Sequence, residues 1–315
     1  MGHGLLAIGL TTLDMVARPI DALPTGEGTR LVDGIAVAPA GTAAGAAMVA
    51  ARLGVATRLA GSIGADFMGR VVRLGLEEQG IDTGLLAVLD RYPTSATVLT
   101  IDSQGRRPNF HALGAGLFAP TGEAVIAAAG RCRFLHYAAI GGPGADGGPG
   151  LAVVEAAKAA GAIVTCDLIS PQPTALAELE RLLPHVDYFM PSVSEAFALS
   201  GAERLDAAAE FFLALGAGAV LIKNGGAGSY VALGAERTML PAYDITPLDT
   251  TSCGDSYCAG FIAALDRGMA PLEAARFATA VAALVAQGLA TLGRLESYAG
   301  VLEAMKTMTL KDAAG

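Results

Sequence analysis

From residue 121 onward the chain alternates short apolar runs with longer stretches of helical period, and this alternation restricts the fold more than any other feature. A helical stretch at 121–129 leads into RFLHYAAI (133–140). Helices at 150–160 and 174–183 bracket AIVTCD (162–167). VDYFMP (186–191) precedes helices near 194–200 and 204–215, and AVLIKN (219–224) follows. Apolar runs of this length suit strands buried on both faces. Strands that alternate with helices pair in parallel, with helices packed above and below. The expected class is α/β, a three-layer α/β/α sandwich on a mostly parallel sheet.

The remaining segments extend that pattern. LLAIGL (5–10) and VATRLAGSIG (55–64) read as strands. GTAAGAAMVAARLG (41–54) and DFMGRVVRLGLEEQG (66–80) read as helices closed by Gly54 and Gly80. The first of these helices is built of residues small enough for another backbone to come close. A hairpin is expected at 228–243, and helices at 271–288 and 295–306. Two stretches break the rhythm. Residues 13–37 and 91–112 alternate apolar with polar residues and carry turn-forming proline and glycine, which suits exposed antiparallel strands. Paired with each other beside the ligand edge of the main sheet, they would form a small lid on a single domain spanning 1–315.

Composition narrows the function classes. Of 315 residues, 53% are apolar and 16% charged, so a large core is available and disorder is not expected. A net charge of -9 argues against nucleic acid as a partner. The N-terminal MGHGLLAIGL lacks a basic leader. The apolar stretch at 273–290 is interrupted by Glu273, Arg276, Thr279 and Gln287, which suits a buried helix rather than a membrane span. Cys132, Cys166, Cys253 and Cys258 show no metal-ligand spacing and read as reduced thiols, so the expected location is the cytoplasm. His136 and His185, on or beside strands, read as structural, and no zinc cluster is evident.

The chemistry-bearing stretch is TPLDTTSCGDSYCAG, between the last β region and a helix. Ligands of open α/β sheets bind at the carboxyl ends of the strands, where such a connection lies. At the helix start the N–H groups of Ser252, Cys253, Gly254 and Asp255 lack intrahelical acceptors, and the small side chains leave that positive end open to an anion. Asp255 is a poor neighbour for a phosphate unless it accepts a proton. Phosphoryl transfer to an alcohol needs both parts: fixed donors for the migrating group and a carboxylate beside the attacking hydroxyl. The same residue also reads as an ordinary first-turn acid.

Asp249-Thr250-Thr251-Ser252-Cys253-Gly254-Asp255 resembles the C-terminal signature of the ribokinase-like carbohydrate kinases, the phosphofructokinase B family, whose pattern is Asp-Thr-Thr/Val-Gly-Ala-Gly-Asp. The resemblance covers nearly the whole chain. It implies a ribokinase-like fold and ATP-dependent phosphorylation of a hydroxyl on a sugar or sugar-like molecule. It places the anion hole at Ser252, Cys253 and Gly254 and the base at Asp255. Ser252 and Cys253 depart from the family's Gly and Ala. In IGLTTLD, Gly9 and Asp14 match a strand end and a sugar-contacting Asp; by itself Asp14 also reads as a strand-edge acid. In AGTAAGAAMVAARLG, Gly41 matches the second of two family glycines, Ala40 replaces the first, and Gly45 stands where the family has a sugar-binding Asn. AGSIGADFMGRVVRLGLEEQGID (60–82) is a further match, in which Gly64 and Asp66 also read as turn glycine and helix cap.

On the nucleotide side, MPSVSEAFALSG (190–201) resembles a family segment whose Asn-x-x-Glu organises magnesium and its waters. Glu195 keeps the Glu and would hold Mg²⁺ through water, while Ser192 replaces the Asn; Ser192-x-x-Glu195 is also a capping box. LIKNGGAGSYV (221–231) implies nucleotide contacts at Gly225 and Gly228, with Lys223 opposing the phosphates; Gly225-Gly226 equally reads as a turn. Thr279, Ala283 and Gln287 would wall the adenine. The implied cofactors are ATP and Mg²⁺, with room for a monovalent cation. Arg106, Arg107 and His111 lie on the expected lid, where they could clamp an acidic or phosphorylated substrate or simply be solvated. The glycine-rich loop IGGPGADGGPG (140–150) matches neither a P-loop nor a dinucleotide fingerprint, so a nicotinamide oxidoreductase is disfavoured; Gly141 and Gly142 could admit substrate to the sheet edge. A nucleoside kinase on the same fold and a non-catalytic ligand-binding relative stay open as alternatives. A lid with one apolar face, carrying Ile35 and Val37, would also suit a homodimer.

Overall fold

A computed structural model of the chain describes residues 3–142 and 149–312. Residues 143–148 of the glycine-rich loop lie outside the described residues, and with them most of the stretch compared above with a P-loop. The strands are β1 (His3–Gly9), β2 (Thr12–Arg18), β3 (Gly34–Ala40), β4 (Thr57–Ala60), β5 (Ser62–Gly64), β6 (Ala87–Leu89), β7 (Ala96–Thr100), β8 (Asn109–Ala112), β9 (Cys132–Ile140), β10 (Ile163–Leu168), β11 (Tyr188–Phe189), β12 (Ala219–Lys223), β13 (Ser229–Leu233) and β14 (Glu236–Leu240). The α-helices are α1 (Thr42–Arg52), α2 (Phe67–Glu78), α3 (Glu123–Ala129), α4 (Pro149–Ala159), α5 (Pro173–Leu182), α6 (Val193–Ser200), α7 (Leu205–Ala214), α8 (Cys253–Asp266), α9 (Pro271–Ala286) and α10 (Tyr298–Thr307).

Eight strands form the central sheet in the order β14-β13-β12-β11-β10-β9-β1-β4. The run from β4 to β12 is parallel, and β13 and β14 add an antiparallel hairpin at one edge. Alternation along β1 shows how the layers arise. Leu5 and Ala7 pack into a core with α1, α8 and α9, whereas Leu6 and Ile8 pack into a second core with α3, α4 and α5. With apolar side chains on both faces, each strand must be covered twice, which is why the sequence shows continuous apolar runs there. Because the six strands are parallel, Gly9, Ile140, Leu168 and Lys223 all end along one edge of the sheet.

The stretches 13–37 and 91–112 do pair, as a four-stranded sheet in the order β3-β2-β7-β8. The pairing is mixed: β2 is antiparallel to β3 but parallel to β7. Residues 19–33 form no strand; Pro19 and Pro24 lack the N–H a ladder needs, and most of the segment is exposed. Period-two alternation splits this sheet's faces. Asp14, Thr97 and His111 stand in register on one face, and Val37, Met15, Val98 and Phe110 on the other.

Two strands read above as longer are cut short. VATRLAGSIG divides at Gly61, so that β4 pairs with β1 and β5 pairs with β6. VDYFMP contributes only Tyr188–Phe189, because Pro191 ends it. The small residues of α1 serve close packing: Ala43, Ala44, Ala46 and Ala47 are fully buried, and the helix lies against α8. Among the described residues no helix is long and apolar enough to cross a membrane.

Candidate active site

The loop entering α8 is fixed by one carboxylate. Asp249 Oδ1 accepts from the Thr251 N–H at 2.8 Å, and Oδ2 accepts from the Ala290 N–H at 2.8 Å. The chain then turns sharply into the helix through Ser252, whose φ of 55° is left-handed. That conformation costs a non-glycine residue about 1–2 kcal/mol. The following N–H groups emerge with little to bond. Among the described residues those of Ser252, Gly254 and Asp255 donate to no protein acceptor, and Cys253 makes a long 3.4 Å bond to the Thr250 carbonyl. A Cβ added to Gly254 would sit 3.5 Å from Lys223 Nζ, so an ammonium backs this bare helix end. Free donors, a helix dipole and a cation together fit a phosphoryl oxyanion.

The helix end opens into a cavity of about 690 Å³ between the sheet edge and the inner face of the second sheet. Ser252, Thr251 and Asp255 line one wall, Gly41 and Thr42 a second, and Asp14, Thr97, Asn109, His111 and Arg107 the wall from the second sheet; Gly141, Ser170 and Gln172 complete the rim. Asp255 and Asp14 therefore share one cavity, although 241 positions separate them. Burial pushes the Asp255 carboxyl well above the usual range, Asp167 adds to the rise, and Lys223 and the Ser252 hydroxyl oppose it. Burial likewise lifts Asp14 to about 6, against its contacts with Thr97 and Thr12. Carboxylates with raised proton affinity beside a cavity are suited to accepting protons and hydrogen bonds from hydroxyls. Gly41 is required as glycine: its φ is 97°, and a Cβ would lie 2.6 Å from the Leu10 carbonyl oxygen.

Beneath the site lies a sealed polar cluster. Lys223, ending β12, forms an ion pair with Asp167 near the end of β10, and the side chains are 11% and 4% exposed. The Cys258 thiol donates to Asp167 at 3.3 Å. Burial would lower the Lys223 pKa, but Asp167 outweighs it and holds the ammonium protonated. The Lys223 charge thus reaches the helix end from below, already balanced by one carboxylate. Asp167 was not among the residues singled out from sequence. The available signal was a carboxylate ending a buried parallel strand, where ligand sites of such sheets form.

The other residues singled out above fall as follows. Ser192 and Glu195 form a capping box on α6: the Ser192 N–H donates to Glu195 Oε2 at 2.6 Å, and the Glu195 N–H donates to Ser192 Oγ at 3.4 Å. Ser192 is bridged to Lys223, which sets α6 beside the sheet edge. Gly225 and Gly228 flank the β12–β13 connection with φ of 52° and 97°, and a Cβ at Gly228 would run into the Leu240 carbonyl. Asp66 caps α2 through Gly69 and also accepts from Thr94. Thr279 and Gln287 bond their own helix carbonyls at Ala275 and Ala283. Arg106 is displaced from its expected place: its guanidinium folds back on Asp102 at 2.6 Å and leaves the cavity wall to Arg107. His111 is hydrogen-bonded to Thr97, and burial lowers its pKa. His136 is fully buried, with Nδ1 on the Thr165 hydroxyl at 2.9 Å, and burial drives it to about 3, so it is neutral. Among the described residues no group of three His, Cys, Asp or Glu could hold a metal ion.

A doubly covered parallel sheet, a second sheet over its carboxyl edge, and a bare helix start carrying a carboxylate together define an α/β protein with its cavity at the carboxyl edge of the sheet. Comparison with known proteins makes the class specific. The profile of the pfkB family carbohydrate kinases matches residues 3–296. The chain belongs to that family. It is 28% identical over 285 residues to a nucleoside kinase of Methanothermobacter thermautotrophicus, covering 90% of this chain and 89% of that one. It is 30% identical over 262 residues to a fructokinase of Klebsiella pneumoniae, covering 78% and 81%. The ribokinase of Arabidopsis thaliana complexed with ribose and ATP superposes with a TM-score of 0.78 at 23% identity, covering 97% and 99% of the two chains. The fold is ribokinase-like, and the protein is a carbohydrate kinase.

Proposed function

We propose that this kinase transfers the γ-phosphoryl group of ATP to a hydroxyl of a sugar or sugar-like molecule, with Asp255 as general base. The observation that carries this reading is the placement of Asp255 beside the unpaired N–H groups of the α8 start, facing Asp14 across one cavity. The acceptor lies between the two carboxylates. Asp14 accepts hydrogen bonds from its hydroxyls, and Asp255 takes the proton of the attacking one. The N–H groups of Ser252, Cys253 and Gly254, backed by Lys223, hold charge on the migrating group. ATP lies along the β12–β13 connection, past Gly225 and Gly228. Glu195 would help to hold a Mg²⁺ ion carried by the triphosphate, through water and with the carboxylate oxygen not used in the cap, and the ion would supply positive charge to the phosphates. The second sheet acts as a lid that excludes water. Four free thiols fit a reducing cytoplasm.

An ATP-coupled screen over pentoses, hexoses, sugar acids, sugar phosphates and nucleosides tests the reading; no acceptor-dependent ADP release across such a panel refutes it. Replacing Asp14 with Asn is expected to raise the acceptor KM by about 10–100-fold with kcat little changed, as befits a lost charged hydrogen bond of about 1.5–3 kcal/mol. Steady-state kinetics at saturating ATP check this. A nucleoside acceptor is the second reading, favoured by the aliphatic side chains of Leu10, Leu99, Leu113, Leu117 and Ile169 in the same cavity. Arg107, in the cavity wall with no ion-pair partner among the described residues, instead favours an acceptor bearing an acidic group.

The outer face of the lid supports a homodimer. Ile35, Val37 and Phe110 are 70%, 53% and 61% exposed, and Val37 and Phe110 share one cross-strand row with Met15 and Val98. Such a row on a small sheet suits a second copy of the same face. Val37→Lys with Phe110→Lys is expected to halve the mass in sedimentation equilibrium; a native protein that already sediments as a monomer refutes the proposal.

A further inference from the structure

The two residues that face each other across the top of α8 are both unusual for their positions. Ser252 is one of two non-glycine residues with left-handed φ among the described residues, and it stands at the turn where glycine would be free of strain. Gly45 sits inside the first turn of α1, where glycine weakens a helix. Their positions are complementary. A Cβ added to Gly45 would lie 3.0 Å from Asp255 Oδ2, 3.2 Å from Ser252 Oγ and 3.4 Å from Asp255 Cβ. The missing side chain on α1 therefore leaves a gap filled by the Ser252 hydroxyl and the Asp255 carboxyl together. The strained backbone puts a polar hydroxyl there, beside the one carboxylate on this helix end.

We propose that Ser252 is a positioning residue for Asp255: its hydroxyl, seated in the space opened by Gly45, hydrogen-bonds the carboxyl and holds it toward the acceptor. This role belongs to the side chain and is separate from the backbone N–H that serves the anion hole. It rests on the reading of Asp255 as the base. A hydroxyl donor stabilises the ionised carboxylate, so it also keeps Asp255 competent to take a proton. The ionisable groups around Asp255 are Asp14 on β2, Asp167 on β10, Lys223 on β12, the Cys253 and Cys258 thiols on α8, and, across the cavity from the second sheet, Arg107 and His111. Asp167 and Asp14 disfavour the carboxylate, and Lys223 and the Ser252 hydroxyl oppose them, so the neutral donor weighs in a contested balance. Gly45 and Ser252 form a coupled pair: a donor can come from either side of the gap, and there is no room for both.

The test separates this role from a structural one. Ser252→Ala removes the hydroxyl and keeps the backbone demand; Ser252→Gly removes both. With ATP and D-ribose, D-fructose or adenosine, whichever is turned over, both variants should lose about tenfold in kcat with the acceptor KM nearly unchanged. The acid limb of kcat/KM should move up by about one pH unit, the size expected for one lost charge-assisted donor. Ser252→Gly should nevertheless melt no earlier than the native protein. Gly45→Asn alone should clash and be impaired, and Ser252→Gly with Gly45→Asn should recover most of the rate and the native acid limb, because an amide then donates from α1. Carbon-13 NMR of the aspartate carboxyls, with Asp255 assigned by its disappearance in Asp255→Asn, reads the same titration without an acceptor. A native rate and native Asp255 titration in Ser252→Ala would overturn the proposal, as would full activity of Gly45→Asn alone. If Asp255→Asn keeps native turnover, the base assignment itself fails; if only the Ser252 variants are silent, the base stands and this inference falls.

Discussion

Asp255→Asn is expected to lower turnover by about 10²–10⁴-fold while ATP still binds, the loss that follows removal of a positioned general base. The substitution keeps the shape of the side chain and removes its capacity to take a proton. It leaves the N–H groups of the α8 start in place, so the anion site persists and the defect appears in kcat rather than in nucleotide affinity. Stability should not fall with activity. The native carboxyl is pushed up by burial and by Asp167, so its ionised form is a cost to the folded state that the amide relieves. The sign follows from linkage: a carboxyl whose pKa is higher folded than unfolded weakens the fold progressively as pH rises above its unfolded value, and a neutral replacement removes that loss. The expected signature is a kinase that melts no earlier than native at neutral pH, binds ATP in calorimetry, and barely turns over. Near-native turnover would remove Asp255 from the chemistry.

How far the sequence reveals this site depends on the range of the interactions that build it. The layered sheet is legible because burying both faces of a parallel strand forces apolar residues into consecutive positions, as in RFLHYAAI and AVLIKN. The start of α8 is legible because small residues, N–H groups without intrahelical acceptors and a first-turn carboxylate are local features of one stretch. The second sheet is legible from period-two alternation, but its mixed pairing is not, since strand direction depends on how distant segments meet. Arg106 and Arg107 are chemically identical neighbours. Only the turn at Asp102, which captures Arg106 through both its N–H and its guanidinium, decides which one reaches the cavity. The coupling of Gly45 to Ser252 is equally hidden, because the smallness of α1 announces a close approach without naming the element that approaches. Tyr188–Phe189 is too short a strand for any periodicity to register.

Asp167→Asn should be the most destabilising conservative change near the site, and the reason lies in Lys223. The two side chains are 56 positions apart, on β10 and β12, and meet in the interior, where the carboxylate also accepts from the Cys258 thiol. The amide keeps the volume but strips the ammonium of its charge partner. Breaking one side of a buried ion pair costs about 3–5 kcal/mol, because the remaining charge stays desolvated and uncompensated. Glu195 adds some favourable field at Lys223, but it is already committed to the α6 cap. Activity should fall as well, since an uncompensated Lys223 lies behind Gly254 and shifts the field at the anion site. Urea denaturation of the variant should show a midpoint lowered in proportion, with an unchanged slope. Replacing both residues, Asp167→Leu with Lys223→Met, removes the desolvated charge altogether and should recover much of the stability without recovering turnover. That divergence separates the two roles of the pair: its stability contribution depends on charge balance, whereas its contribution to the site depends on an ammonium held beneath the helix start. A double variant as unstable as Asp167→Asn would show that packing, not charge, dominates there, and one with native turnover would remove Lys223 from the support of the migrating group.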